Sequence, residues 1–102
     1  MAVAEFDWDR GNRRKCQKHG VPIAAIEAMF RQPFAVFPDP AHSHHEERFK
    51  AIGKTGDGRH IFVVFTLRGR GETRLICSIT ARYMYRKEVE HYEKEIARSQ
   101  KR

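Results

Sequence analysis

The densest collection of chemically able side chains in the sequence is His42, His44, His45, Glu46 and Glu47, crowded between two apolar segments. Neutral imidazoles and carboxylates together can hold a transition metal, but this spacing matches no strong zinc signature. The simpler expectation is a polar, partly charged connection between elements. Other reactive groups are cations: Arg68, Arg74, Arg82 and Arg86 in the second half, and Arg10, Arg13, Arg14, Lys15 and Lys18 ahead of His19 in the first. Cleaving a ribose phosphodiester without a metal requires activation of the 2′-hydroxyl, protonation of the leaving oxygen and cations to stabilise charge on the phosphate. Histidine, glutamate, tyrosine, lysine and arginine can fill those jobs, although composition does not say which of them converge. There is no glycine-rich phosphate loop, nucleophile elbow or paired-cysteine metal site, so kinase, hydrolase and zinc-finger readings have no support.

A chain of 102 residues fits one domain with a single core, and any active site must lie on its surface or in a shallow cleft. Lysine and arginine outnumber aspartate and glutamate by 20 to 13, a net charge of +7 that favours polyanionic partners, RNA foremost. Charge alone does not separate RNA from DNA or from an acidic protein, and it also serves solubility. Cys16 and Cys77 are far apart and read as free thiols. No apolar run approaches the ~20 residues that span a bilayer, and the N-terminus lacks a signal-peptide pattern, so no membrane partner is expected and the cytoplasm is the expected address.

These groups need elements to hold them. After a short strand candidate at Phe6 and Trp8, Asp9 can cap a helix from Arg10 to about His19, with Gly20 as its stop. That helix is the most concentrated cationic element in the chain, and His19 can close it electrostatically. Pro22 suits the first turn of a second helix whose Ile23, Ile26, Met29 and Phe30 form a core stripe, and Pro33 ends it. Phe34 to Phe37 and Arg48 to Ile52 read as strands on either side of the histidine-rich connection, and Thr55-Gly56-Asp57-Gly58 as a hairpin turn. The apolar run Ile61, Val63, Val64, Phe65 belongs in the middle of the sheet. Gly69-Arg70-Gly71 marks another hairpin. The next strand sets Leu75, Cys77, Ile79 and Ala81 against Arg74, Ser78, Thr80 and Arg82, with Ile76 as the exception.

A last helix begins near Tyr83 and aligns Tyr85, Val89, Tyr92 and Ile96, followed from Arg98 by a basic tail expected to fray. The expected fold is α+β: an antiparallel sheet of three or four strands with two N-terminal helices and one C-terminal helix, the helices on one side. Residues 1–97 form the single domain and 98–102 the tail.

Taken in order, Phe6-Asp7-Trp8-Asp9, Lys18-His19-Gly20-Val21, Phe37-Pro38-Asp39, His42-Ser43, Glu46-Glu47-Arg48-Phe49, Ala51-Ile52-Gly53, and Thr80-Ala81-Arg82 with Arg86, Glu88 and Tyr92 resemble the BrnT family across residues 6 to 93. The resemblance implies a RelE-like fold and a ribonuclease toxin of a type II toxin–antitoxin pair, which arrests translation and needs no metal or organic cofactor. It implies as partners an RNA substrate and a BrnA-like antitoxin with a DNA-binding ribbon-helix-helix part, with operator DNA reached only through the complex. On this reading Arg68, Arg82 and Arg86 hold phosphates and stabilise the transition state, His19 and Glu47 serve as acid and base, and Lys18, Arg48 and Arg74 bind RNA, with Arg48 also able to orient Glu47. One position departs from the pattern. Cys77 stands where many relatives carry an arginine, three residues before Thr80-Ala81-Arg82, and Arg74 is an odd number of residues away, on the opposite face of a regular strand. Two alternatives therefore stand beside the toxin: a catalytically inactive module that keeps the antitoxin interface, and a basic DNA-binding regulator.

Overall fold

The computed structural model describes residues 5–70 and 73–100. Its sheet is an antiparallel meander in the order β1 (Ala35–Pro38), β2 (Arg48–Lys54), β3 (His60–Arg70) and β4 (Thr73–Tyr83). The expected α+β arrangement holds. Two helices precede the sheet, α1 (Arg10–Gln17) and α2 (Ile23–Phe30), and one follows it, α3 (Arg86–Gln100). A short 3-10 helix, Pro40–His42, interrupts the connection between β1 and β2.

Asp9 and Asn12 cap each other at the start of α1, Asp9 accepting from the Asn12 backbone at 2.8 Å and Asn12 from the Asp9 backbone at 2.7 Å. The helix ends at Gln17, two residues before the expected His19, because the chain must turn through Gly20 at φ +82. The core is one-sided. Ala51, Ile61, Val63, Phe65, Ile76 and Ala81 cover the inner face of the sheet and bury Ile26, Met29 and Phe30 of α2 together with Cys16 of α1. Phe30 is its hub, meeting Phe6, Phe34 and Phe65 edge to face.

Three expectations are corrected: the pattern of β4, the side taken by α3 and the residue at which α3 begins. The strict alternation read along β4 breaks at Ile79: Phe65 pairs with Ser78 and Val64 with Thr80, which leaves Ile79 as an extra, bulged residue. Before the bulge Ile76 and Ser78 face the core and Cys77 the outer face; after it Ala81 faces the core and Thr80 and Arg82 the outer face. Ile76 is thus an ordinary core residue, and Cys77 shares a face with Arg82. The helices also do not share one side. α3 lies over the outer face, where Tyr92 meets His60 edge to face and Arg82 sits over Phe62. It begins at Arg86, so Tyr85 precedes the helix and is 74% exposed, while Val89, Tyr92 and Ile96 are half-buried. The helix continues through Gln100, with Arg98 paired to Glu95, and Lys101 and Arg102 of the expected tail lie outside the described residues, as does Gly71 of the expected hairpin.

Candidate active site

The connection between β1 and β2 is not a slack loop. Ser43 donates to the Asp39 carbonyl at 2.7 Å and accepts from the Arg48 backbone at 3.0 Å, while the Asp39 backbone donates to the Arg48 carbonyl at 3.0 Å. Thr66 of β3 adds a hydrogen bond to the Glu47 carbonyl at 2.7 Å. The segment carrying His44, His45, Glu46 and Glu47 is thereby pinned to the end of the sheet where β2 starts and β3 finishes. His44, His45, Glu46 and Arg48 line one small cavity there. Glu46 and Arg48 also line a second, with Lys15 and Asn12 of α1, Arg68 of β3, and Cys77 and Ile79 of β4.

Helix α1 completes this site because it lies across the edge of β4. The Asn12 amide donates to the outer-face Cys77 sulfur at 3.5 Å, and Cys16 meets the inner-face Ser78 hydroxyl at 3.0 Å. Burial raises the pKa of both thiols, more than the Ser78 hydrogen bond lowers it for Cys16 or Asn12 and Arg68 lower it for Cys77. Cys77 is therefore a neutral, packed side chain. Arg68 stands on the neighbouring strand, one diagonal step from Cys77, since Thr66 pairs with Cys77 and Arg68 with Leu75. An exposed ion pair to Asp7 at 3.4 Å steadies the Arg68 guanidinium. The bulge falls on the C-terminal side of Cys77, so Arg74 remains on the inner-face register. The cation on the outer face beside Cys77 is Arg68.

The Arg48 guanidinium carries a second signal: its Nε is buried and has no hydrogen-bond partner among the described residues. Such an orphan donor costs about 1–3 kcal/mol, and an anionic oxygen in the cavity would satisfy it.

Arg82 and Arg86 lie at the other end of the outer face. Arg82 pairs in register with Phe62, six residues from Arg68 along β3, or roughly 20 Å. Arg82 grips Glu88 through two bonds of 2.7 and 2.8 Å, and Glu88 also accepts from the Tyr85 backbone at 2.9 Å, capping α3. The Arg82 bonds and the Tyr85 N–H hold the Glu88 carboxyl down at about 2, and the same pair raises Arg82. Arg86, 93% exposed, touches Glu90 at 3.4 Å. Lys18 and His19 are exposed just beyond α1, and Arg74 is exposed at the start of β4, one pair beyond Arg68 but on the inner face.

Of the predicted site residues, then, Glu47, Arg48 and Arg68 come together at one end of the sheet, with Arg74 at the same end but on the inner face. His44, His45, Glu46, Lys15 and Asn12 join them. The histidines and Glu46 were visible in the sequence as a cluster, weighed there for metal binding rather than proton transfer; among the described residues no group of three or more histidine, cysteine or acidic side chains converges to hold a metal ion. Lys15 and Asn12 had no sequence signal beyond the charge of α1, because their role depends on where that helix crosses β4.

A small basic α+β domain with arginines, a lysine, histidines and carboxylates around a shallow cavity has the makings of a protein that binds and acts on phosphodiesters. The chain belongs to the BrnT family, described as "Ribonuclease toxin, BrnT, of type II toxin-antitoxin system", whose family model matches residues 8–88. Comparison with curated proteins gave no match. Membership of a type II system carries with it an antitoxin partner and an RNA substrate. No described helix is long and apolar enough to cross a membrane.

Proposed function

We propose that this chain is the endoribonuclease toxin of its pair and that it cuts RNA at the cavity between α1, the 43–47 segment and the end of β3. The observation that carries the reading is the convergence of Arg68, Lys15, Glu46 and Arg48, whose Nε is unsatisfied, on one cavity, beside a second that His44 and His45 line with the same Glu46 and Arg48. Arg48, Arg68 and Lys15 hold the scissile phosphate and offset the charge that grows on its oxygens. The rim supplies the proton transfers: a carboxylate, Glu46 with Glu47 beside it, takes the 2′-hydroxyl proton, the oxygen attacks phosphorus, and a histidine of the pair protonates the departing 5′-oxygen. These groups suffice without a metal. Lys18 and His19 extend the cationic track along α1, Arg74 adds a cation at the start of β4 on the inner face, and Arg82 and Arg86 meet phosphates further along the strand of RNA. Cleavage of messages arrests translation, and a ribbon-helix-helix antitoxin of BrnA type neutralises the toxin and carries the complex to operator DNA.

The position of Arg68 beside Cys77 favours an active enzyme over an inactive module, because the outer face keeps a guanidinium where the strand itself lacks one. Induced expression followed by mapping of RNA ends tests this. The parent should arrest growth and create new ends; Arg68→Ala and Arg48→Ala should remove both while the purified variants stay folded. New ends at parental level in both variants would move the chemistry elsewhere.

A further inference from the structure

Away from the candidate active site lies a groove of about 680 Å³ between α3 and the outer face of the sheet, floored by Phe37, Ile52 and Phe62 and walled by Met84 and Tyr92. Phe37 is 41% exposed there, on β1, the edge strand with no further strand beside it among the described residues. An apolar trough of this size is large enough for several side chains of a bound segment. It is also unusual on a surface as polar as this one.

The charges around the trough say what kind of segment fits. Its two carboxylates are already matched, Glu88 by Arg82 and Glu95 by Arg98. Lys87 and His91 of α3 and Lys50 of β2 complete the ionisable lining, Lys50 reaching Asp39 only at 3.8 Å. The rim is therefore electropositive, on a chain whose net charge is already +7. A second copy of the chain would bring the same positive charge to it, whereas an acidic, amphipathic segment complements both the floor and the rim.

We propose that this groove is the docking site of the antitoxin, through a segment that lays apolar side chains on Phe37, Ile52 and Phe62 and directs acidic ones to Lys87 and Lys50. The proposal rests on the toxin reading for the identity of its occupant. It also gives neutralisation a route: a segment in the groove covers the outer face beside Arg82 and Arg86, so RNA can no longer extend along that face, while the cavity at Arg68 is left untouched.

The test uses the full-length chain and its purified antitoxin, with binding measured by calorimetry and RNA cleavage measured separately. Phe37→Glu adds a charge to the floor at an exposed edge-strand position, and Lys87→Glu reverses the rim. Each should weaken antitoxin binding at least tenfold and leave RNA cleavage by the free protein at parental level, with unchanged circular dichroism. Arg31→Glu, exposed after α2 and away from the groove, should bind the antitoxin as the parent does. Parental affinity in both groove variants overturns the proposal, as does an equal loss in Arg31→Glu. So does Phe37→Glu weakening RNA binding instead, or dissolving a dimer of the free chain, since the occupant would then be RNA or a second copy. Absence of cleavage by the parent protein with intact antitoxin binding would count against the toxin reading alone.

Discussion

Glu88 ties the end of β4 to the start of α3, and replacing it by glutamine isolates the charge in that tie. Glutamine keeps the size of the side chain, an acceptor for the Tyr85 N–H and one bond to Arg82, and removes the charge that makes the Arg82 bonds of 2.7 and 2.8 Å strong. A fall of the carboxyl pKa from 4.5 to about 2 is at most about 3 kcal/mol at 1.36 kcal/mol per pH unit. The Glu88 side chain is 36% exposed and its partner 34%, so water and salt screen most of that, and about 1 kcal/mol is the expected cost of Glu88→Gln at pH 7. In a domain of this size that lowers the melting midpoint by about 4–8 °C. The sign of the pH dependence follows from the folded carboxyl lying below its unfolded value. The contribution is complete above about pH 4.5, shrinks as pH falls, and is gone at about 2; near pH 3 about 40% of it survives. Urea unfolding of parent and variant at pH 7 and pH 3 measures both quantities. Equal stabilities at pH 7, or a gap that does not shrink at pH 3, would refute the assignment of Arg82 and Glu88 as a stabilising pair.

Three further outcomes are expected. RNA cleavage by the purified protein should proceed at an undiminished rate in excess EDTA, because histidines, carboxylates, arginines and a lysine supply every proposed proton transfer and charge; loss of activity that Mg²⁺ restores would show that the site needs an ion. Burial raises both thiol pKa values, so Cys16 and Cys77 should react with a disulfide reagent at pH 8 only as fast as the protein opens, and both at once in denaturant; rapid labelling of the folded protein would place a thiolate at the surface. Gly53→Ala should destabilise the domain by about 1–3 kcal/mol, since a methyl group on that inner-face position runs into Met29 of α2, and a parental midpoint in urea would show that the helix gives way freely.

Most of the fold was legible because its signals are local. Asp9, Gly20, Pro22 and the stripe Ile26, Met29, Phe30 mark two helices, and Thr55 to Gly58 with Gly58 at φ +86 marks the β2–β3 turn. The place of the bulge, at Ile79, was not legible. A strand that carries one unpaired residue looks the same in sequence as a regular one until the pairing is known, and the one hint, Ile76 on the polar side, pointed to it only in retrospect. The side taken by α3 was likewise hidden, because an amphipathic stripe shows that a helix packs without showing on which face. For the candidate site, Arg48, Glu47 and Arg68 were visible as residue types, but the role of Ser43 in pinning the histidine segment is a matter of hydrogen bonds between Asp39 and Arg48 that spacing does not encode.

Cys77 shows why position along one strand is the wrong unit for judging a site on a sheet. On sequence its thiol removes a cation from β4, and no neighbour of the right parity on that strand replaces it. Across the pairing of β3 with β4, however, a diagonal step brings Arg68 to the same outer face, and the cationic helix α1 closes the cavity from beyond β4 with Lys15. Charge lost from one strand is thus supplied by two other elements. The neutral thiol packed between them also spares Arg68 the repulsion that a second guanidinium at that position would exert at close range. Restoring arginine there, Cys77→Arg, would have to bury a charge where Asn12 now packs. It should destabilise the domain more than it helps phosphate binding, a balance that midpoint and cleavage rate together would read out.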